Sequence, residues 1–155
     1  MEKLLGLVLL ATMFISGCGT PKGTANKTDL LELNPSQVVE AYYHSIATGD
    51  YSTAKATLSD DIVQTYTNSP DSDFQNIRKL TDIKISNVSP ITFNKQDNVG
   101  PIKEKYYEGV QVTAEYVAEY KEVITSHSGK QIRFIYVARK EQGSPWKMVS
   151  IGTGP

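Results

Sequence analysis

The spacing of apolar positions changes twice along the 155-residue chain, and the changes mark three parts. Leu4 to Ile15 is an unbroken uncharged run, "LLGLVLLATMFI". From Asn34 onward apolar residues recur every three or four positions, the period of a helix lying on a core. From Thr81 they recur every second position, the period of a strand with one buried face.

The helical part has marked ends. In "NPSQVVEAYYHSIATGD", Asn34 suits an N-cap, Pro35 the first helical position and Gln37 the reciprocal place of a capping box. Val38, Val39, Tyr42, Tyr43 and Ile46 fall within about 140° of arc at 100° per residue, one stripe for the core. Gly49 is placed to end the helix in the left-handed conformation. Asp50 then caps a short second helix, "YSTAKATL", with Tyr51, Ala54 and Leu58 facing inward. "SDDIVQTY" reads as a turn into a short extended piece, broken by Asn68-Ser69-Pro70. "DSDFQNIRKL" reads as a third helix because Phe74, Ile77 and Leu80 are spaced by three.

The alternating part opens with "DIKISNVSPITF", where Pro90 points to a bend or a sheet edge. In "KYYEGVQVTAEYVAEYKEV", Val110, Val112, Ala114, Tyr116, Ala118 and Tyr120 share one face. Gln111, Thr113, Glu115, Glu119 and Lys121 share the other, with Val117 the exception. Residues 105–121 would extend roughly 55 Å at 3.3 Å per residue, so the strand must bend, with Gly109 as the expected bulge. "HSG" turns the chain into "QIRFIYVARKE", apolar on both faces and hence central. "WKMVSIGTG" closes the sheet. The fold class is α+β: three N-terminal helices packed on a strongly curved, cone-like antiparallel sheet of about four long strands plus one short strand.

The apolar run of twelve is too short to cross a bilayer core of roughly 30 Å, which takes about 20 helical residues. Behind Lys3 it has the length of a signal-peptide core. It leads into Ile15-Ser16-Gly17-Cys18, which holds the only cysteine. That quartet resembles the bacterial lipobox: an aliphatic residue, two small ones, then a cysteine. The resemblance implies diacylglycerol on the Cys18 sulfur, cleavage before it, and acylation such as palmitate. Buried acyl chain contributes about 0.8 kcal/mol per methylene, so two chains anchor firmly. Residues 1–17 are then a lipoprotein signal peptide, 18–33 the lipidated cysteine and a flexible tether, and 34–155 the folded domain. The tether begins as Gly, Thr, Lys, Asn and Pro, which cannot bury enough surface to order, although Leu30, Leu31 and Leu33 are apolar enough to dock. The chain is expected at the cell membrane, on its extracytoplasmic face.

Without residues 1–17 the chain has 138 residues, enough for one domain burying roughly two-thirds of its unfolded surface without a disulfide. Sixteen lysines and arginines balance seventeen acids with no basic run, which excludes nucleic acid as a partner.

Two segments carry a further resemblance: "VVEAYYHSIATGDYSTAKATLSDD" (38–61) and the closing Trp146-Lys147-Met148-Val149. Helix, Gly-Asp turn, second helix and paired Asp60-Asp61 resemble the nuclear transport factor two-like superfamily, which includes ketosteroid isomerase and the polyketide cyclases. Lipobox, domain and the ending "SIGTGP" together look like Gram-positive-type lipoproteins of unknown function. In ketosteroid isomerase a helical tyrosine and a protonated acid form an oxyanion hole, and a carboxylate is the base. Matching the Gly-Asp turns puts Tyr42 at the tyrosine's place and Tyr66 at the base's. A phenol with pKa near 10 is no base at neutral pH, and Gln64 and Thr65 supply no carboxylate.

The remaining candidates are few. Tyr42, Tyr66, Tyr116, Tyr136 and Trp146 are candidates to line a pocket for an apolar ligand, and ordinary core packing accounts for them equally. His44 lies about 170° from the first helix's apolar stripe and His127 in a turn, so both belong at the surface. No zinc set can be assembled. Asp71 and Asp73 are too few oxygens for calcium and read as helix caps. Ser128-Gly129-Lys130 lacks the spacing of a phosphate loop. Arg133 and Arg139 are expected on the polar sheet face near Glu115 and Glu119. No catalytic residue, metal or cofactor is assigned. The expected function is a non-enzymatic, membrane-anchored binding or interaction module of the cell envelope. Its partners are the membrane, through lipid, and a small apolar ligand or an envelope protein. Homodimerisation through the open sheet face is a further expectation. The alternative is a ketosteroid isomerase/polyketide cyclase-like enzyme acting on a small hydrophobic substrate.

Overall fold

A computed structural model describes residues 29–91 and 104–153. Cys18, the expected leader and most of the expected tether lie outside the described residues. The chain enters through a 3₁₀ turn, Asp29–Leu31, followed by α1 (Pro35–Thr48), α2 (Tyr51–Thr57), α3 (Asp60–Asn68) and the single turn α4 (Asp73–Asn76). Among the described residues four strands follow: β1 (Ile77–Pro90), β2 (Glu108–Tyr120), β3 (Gly129–Arg139) and β4 (Lys147–Gly152). They form an antiparallel sheet in the order β1-β2-β3-β4. The class is α+β, with helices first and a curved sheet after.

The ends of α1 follow its sequence. Asn34 Oδ1 accepts from the Gln37 amide at 3.0 Å, and Gln37 Oε1 accepts from the Asn34 amide at 2.9 Å, a complete capping box. Gly49 ends the helix at φ 76°, a conformation that disfavours a Cβ. Asp50 Oδ1 caps α2 by accepting from the Thr53 amide at 3.1 Å. Val38, Val39, Tyr42, Tyr43 and Ile46 are all buried, against β1 and the concave side of the sheet. Leu30 is buried and Leu33 packs on the core, whereas Leu31 stays exposed. On α2, Ala54 and the following Leu58 are buried, but Tyr51 is exposed, its ring 5.2 Å from that of Phe74.

Two expected elements differ. Residues 60–68 are helical, not a turn and extended piece: Asp60 and Asp61 favour a helix N-terminus, and Ile62, Val63 and Tyr66 lie on one helical face against the core. The third expected helix is one turn long, and Ile77 already begins β1, paired with Tyr120. A register shift between Ile77 and Lys79 lets Ile77 and Leu80 point inward together despite their odd spacing. Two more shifts, between Thr81 and Lys84 and between Ser86 and Ser89, bend this edge strand. At the first of these Asp82 takes φ 54°, a conformation Asp tolerates better than most residues.

Gly109 is not a bulge. The β2–β3 register runs unbroken through it, Gly109 opposite Ala138. Its lack of a side chain serves close approach, since a Cβ there would meet Ile91 Cδ1 at 3.1 Å. On the inner face of the sheet Val112, Ala114, Tyr116, Ala118 and Tyr120 are buried together with Ile135, Val137 and Met148.

Candidate functional site

Arg133 shares its strand parity with Ile135 and Val137, so it faces the core rather than Glu115, and it is 6 % exposed. Its neighbour on β2 is Ala114, which leaves room for a guanidinium. Glu115 lies opposite Ile132 on the other face and pairs with Lys130 at 2.9 Å. Glu119 pairs with Lys79, and Arg139 pairs with Glu108 at 2.8 Å while stacking 4.9 Å from the Trp146 ring centre.

A charge so deeply buried requires a partner, and Asp73 is that partner. Asp73 opens α4, whose cap is Ser72, not Asp71 or Asp73. Ser72 Oγ accepts from the Gln75 amide at 3.2 Å and donates to the Tyr66 carbonyl at 2.6 Å. Asn76 clamps the turn to the end of β2, its amide donating to the Glu122 carbonyl and its side-chain carbonyl accepting from the Glu122 amide. Held at both ends, α4 aims Asp73 inward.

Five donors converge on that carboxylate. Tyr43 (3.2 Å), Tyr116 (2.5 Å) and Arg133 Nε (3.3 Å) donate to Oδ2. Tyr120 (3.1 Å) and Arg133 Nη2 (3.2 Å) donate to Oδ1. An ionised carboxylate has about four lone-pair sites, so nothing remains free to take a proton from a substrate. Burial, then the Asp73 charge, pushes the Tyr43 hydroxyl well up, and burial with the neighbouring Tyr43 and Asp73 does the same to Tyr116. Burial and Asp73 push Tyr120 up to about 12. Burial works against the charge on Arg133, but Asp73 and the phenols outweigh it and its pKa rises. The cluster is an ion pair in a tyrosine cage.

Tyr42 and Tyr66 border this cage. The Tyr42 hydroxyl is fully buried and has no hydrogen-bond partner among the described residues, and burial followed by Asp73 raises its pKa. Tyr66 donates to the Ile151 carbonyl at 2.7 Å and accepts from the Ile151 amide at 3.0 Å, fastening α3 to β4. A cavity of about 290 Å³ opens beside Tyr66, Asp73 and Arg133, rimmed by Asp71, Thr125 and Ser126. Asp71 is tied up by Ser69 (2.6 Å) and Thr125 (3.2 Å).

Of the residues expected to line a pocket, the structure gathers Tyr42, Tyr66 and Tyr116 inside. Tyr136 lies on the opposite sheet face, beside Tyr106, Ala138 and Val149, and Trp146 lies over Arg139. His44 and His127 are exposed. Among the described residues no group of His, Cys, Asp and Glu is placed to hold a metal ion.

A larger cavity, about 740 Å³, lies where the 3₁₀ turn, α2, the start of α3 and the β3–β4 turn meet. Leu30, Leu58, Val63 and Pro145 form apolar walls, and Lys55, Lys140 and Lys147 supply positive charge against Asp60. Its volume falls within the usual range for small-molecule sites.

Three outcomes test the cage. Asp73→Asn leaves Arg133 buried without its counter-charge and is expected to cost about 3–5 kcal/mol. In urea unfolding, Asp73→Asn/Arg133→Met should be less destabilised than the two single variants summed, by about 1–3 kcal/mol; simple additivity would mean the pair is uncoupled. The caged tyrosines hold their protons more tightly folded than unfolded, so their stabilisation is complete below pH about 10 and is lost as pH rises through the folded values. Stability should therefore fall between pH about 10 and 12, phenolate absorbance appearing together with loss of far-UV dichroism. Tyr42→Phe removes a buried hydroxyl that has no acceptor and should raise stability by about 1 kcal/mol, read as a higher urea midpoint at unchanged slope.

Compared with known proteins, the chain matches no curated protein and no solved structure. Residues 36–152, which hold the cage and nearly all of the larger cavity's walls, match one family, described as a domain of unknown function (DUF4829). The chain belongs to that family.

Proposed function

We propose that the protein is a lipid-anchored extracytoplasmic module on a nuclear transport factor two-like fold, binding a ligand or partner in the cell envelope without catalysis. The observation that carries this reading is the saturation of Asp73. Tyr66 stands at the expected base position, and Asp73, the buried carboxylate among the described residues, is held by an arginine and three phenols. Binding then falls to the larger cavity, whose wall includes Leu30 and Leu31 of the 3₁₀ turn.

The lipobox quartet Ile15-Ser16-Gly17-Cys18 and the apolar run before it support the anchor. No described helix is long and apolar enough to cross a membrane. The order of helices followed by a curved antiparallel sheet, with α1 against its concave face, supports the nuclear transport factor two-like reading.

One observation favours the enzymatic alternative: the partnerless Tyr42 hydroxyl could donate to a developing oxyanion. Such an enzyme would still need an acid or base, and Tyr66, at the expected position, is engaged by the Ile151 backbone.

Mass spectrometry of the protein purified from membranes of its host tests the anchor. The expected species begins at Cys18 and carries a diacylglyceryl group, while Cys18→Ser retains residues 1–17 or is soluble. An unmodified thiol with the leader attached would overturn the reading, as would Cys18→Ser reaching the membrane at mature size.

A further inference from the structure

The larger cavity sorts its lining by depth. Its buried residues are all uncharged: Leu30, Leu58 and Ala138 are apolar, and Thr53, Ser59 and Tyr106 carry hydroxyls. Lys55, Asp60 and Lys140 are exposed and lie toward solvent. There Lys140 pairs with Asp60 at 3.7 Å, and the Lys55 ammonium sits 5.6 Å from the centre of the Phe74 ring. Lys147, half-buried, donates to the Ala56 carbonyl. An ionic group pushed onto the floor would leave water without meeting a counter-charge among these buried residues, at high cost.

One polar group on this floor is unmet. Ser59 is the N-cap of α3, where a hydroxyl ordinarily accepts from an amide of the first turn. Here it makes no such bond. The residue is only 4 % exposed, and its Oγ has no hydrogen-bond partner among the described residues. The Tyr106 hydroxyl stands near it, but that proton goes to Asp61 at 3.1 Å, and no hydrogen bond joins the two hydroxyls. A buried hydroxyl left unmet destabilises the empty protein. A ligand oxygen bonded to it removes that penalty. Since no hydrogen bond holds the Ser59 side chain, it can turn between staggered rotamers to meet one.

An uncharged floor with one unmet hydroxyl selects a particular kind of ligand. We propose that this cavity binds an uncharged small molecule with an apolar body and one hydroxyl or carbonyl oxygen, that oxygen bonded to Ser59 Oγ. The apolar body lies along Leu58, Val63 and Ala138. This names the ligand class of the cavity to which binding is assigned above, and it rests on that reading. The volume, about 740 Å³, accommodates such a molecule. A neutral ligand needs no counter-charge, so the contacts of Lys55, Lys140 and Lys147 stay as they are.

Trp146 is the only tryptophan and stands between two lining residues, Pro145 and Lys147, so it reports on the cavity. The full-length protein, mixed with neutral phosphatidylcholine vesicles, is titrated with octanol brominated at its far end, which quenches tryptophan on contact. Saturable quenching is expected, about tenfold tighter than with the matching octanoate. Ser59→Ala should weaken the alcohol about fivefold, the worth of one hydrogen bond, and leave bromo-octane unchanged. The same variant should unfold at an equal or higher urea midpoint, since it loses a hydroxyl that bonds nothing. Lys55→Gln/Lys140→Gln should leave the affinity for the alcohol unchanged. Octanoate binding as tightly as the alcohol, or a large loss on the lysine substitutions, overturns the proposal and leaves binding in the cavity standing. So does an alcohol indifferent to Ser59→Ala, or a loss that bromo-octane shares. A lowered urea midpoint for Ser59→Ala also overturns it, because the hydroxyl would then be bonded in the empty protein. Saturable quenching by none of the three compounds overturns the assignment of binding to this cavity as well.

Discussion

The salt bridge between Asp73 and Arg133 is the constraint on which the interior is built. Each group alone would cost several kcal/mol to bury, and their mutual attraction offsets that cost only if the remaining donors and acceptors are also met. Here they are. Tyr43 from α1, Tyr116 and Tyr120 from β2, and Arg133 from β3 all reach the one carboxylate of α4. Arg133 spends further donors on Gln131, the Ile132 carbonyl and Ser126. Four elements far apart in sequence are thereby fixed by one group. A hydrophobic core would tolerate small slips between helix and sheet; a five-donor cage does not, because any slip strands a buried charge.

Much of this was legible in the sequence, for reasons tied to particular residues. The caps at Asn34, Gly49 and Asp50 are local chemistry, and they form where the residues permit. The tyrosine face of β2 follows from strict alternation. Failures came where tertiary pairing overrode a local period. Phe74, Ile77 and Leu80 mimic a helical stripe, but Ile77 and Leu80 belong to an edge strand whose register shift places both inward. Asp73 looked like a cap because capping is what an Asp before a helix usually does, while its neighbour Ser72 does that work. The signal that could have exposed the cage was parity: Arg133 alternates with Ile135 and Val137, so a buried inner face demanded a buried carboxylate. Asp73 stands next to Phe74, whose burial the apolar pattern already required.

Filling the concavity with rings and an ion pair changes where binding can take place. In a cone with an open interior, the deepest residues meet the ligand. Here the deepest polar groups meet each other, and the smaller cavity beside them is bordered by Tyr66, whose hydroxyl is bonded at both lone pair and proton to Ile151. The larger space lies at the other margin, between the 3₁₀ turn, α2, the start of α3 and the β3–β4 turn. Lys55, Lys140 and Lys147 come from α2, the residue after β3 and the start of β4, so their convergence depends on the same packing that the cage enforces. The interior thus acts on the larger cavity indirectly: by holding α1 to the sheet it fixes α2, and α2 carries one wall of that cavity. A fold can move its site from centre to margin in this way without altering its layers, since sites are grafted on folds rather than dictated by them.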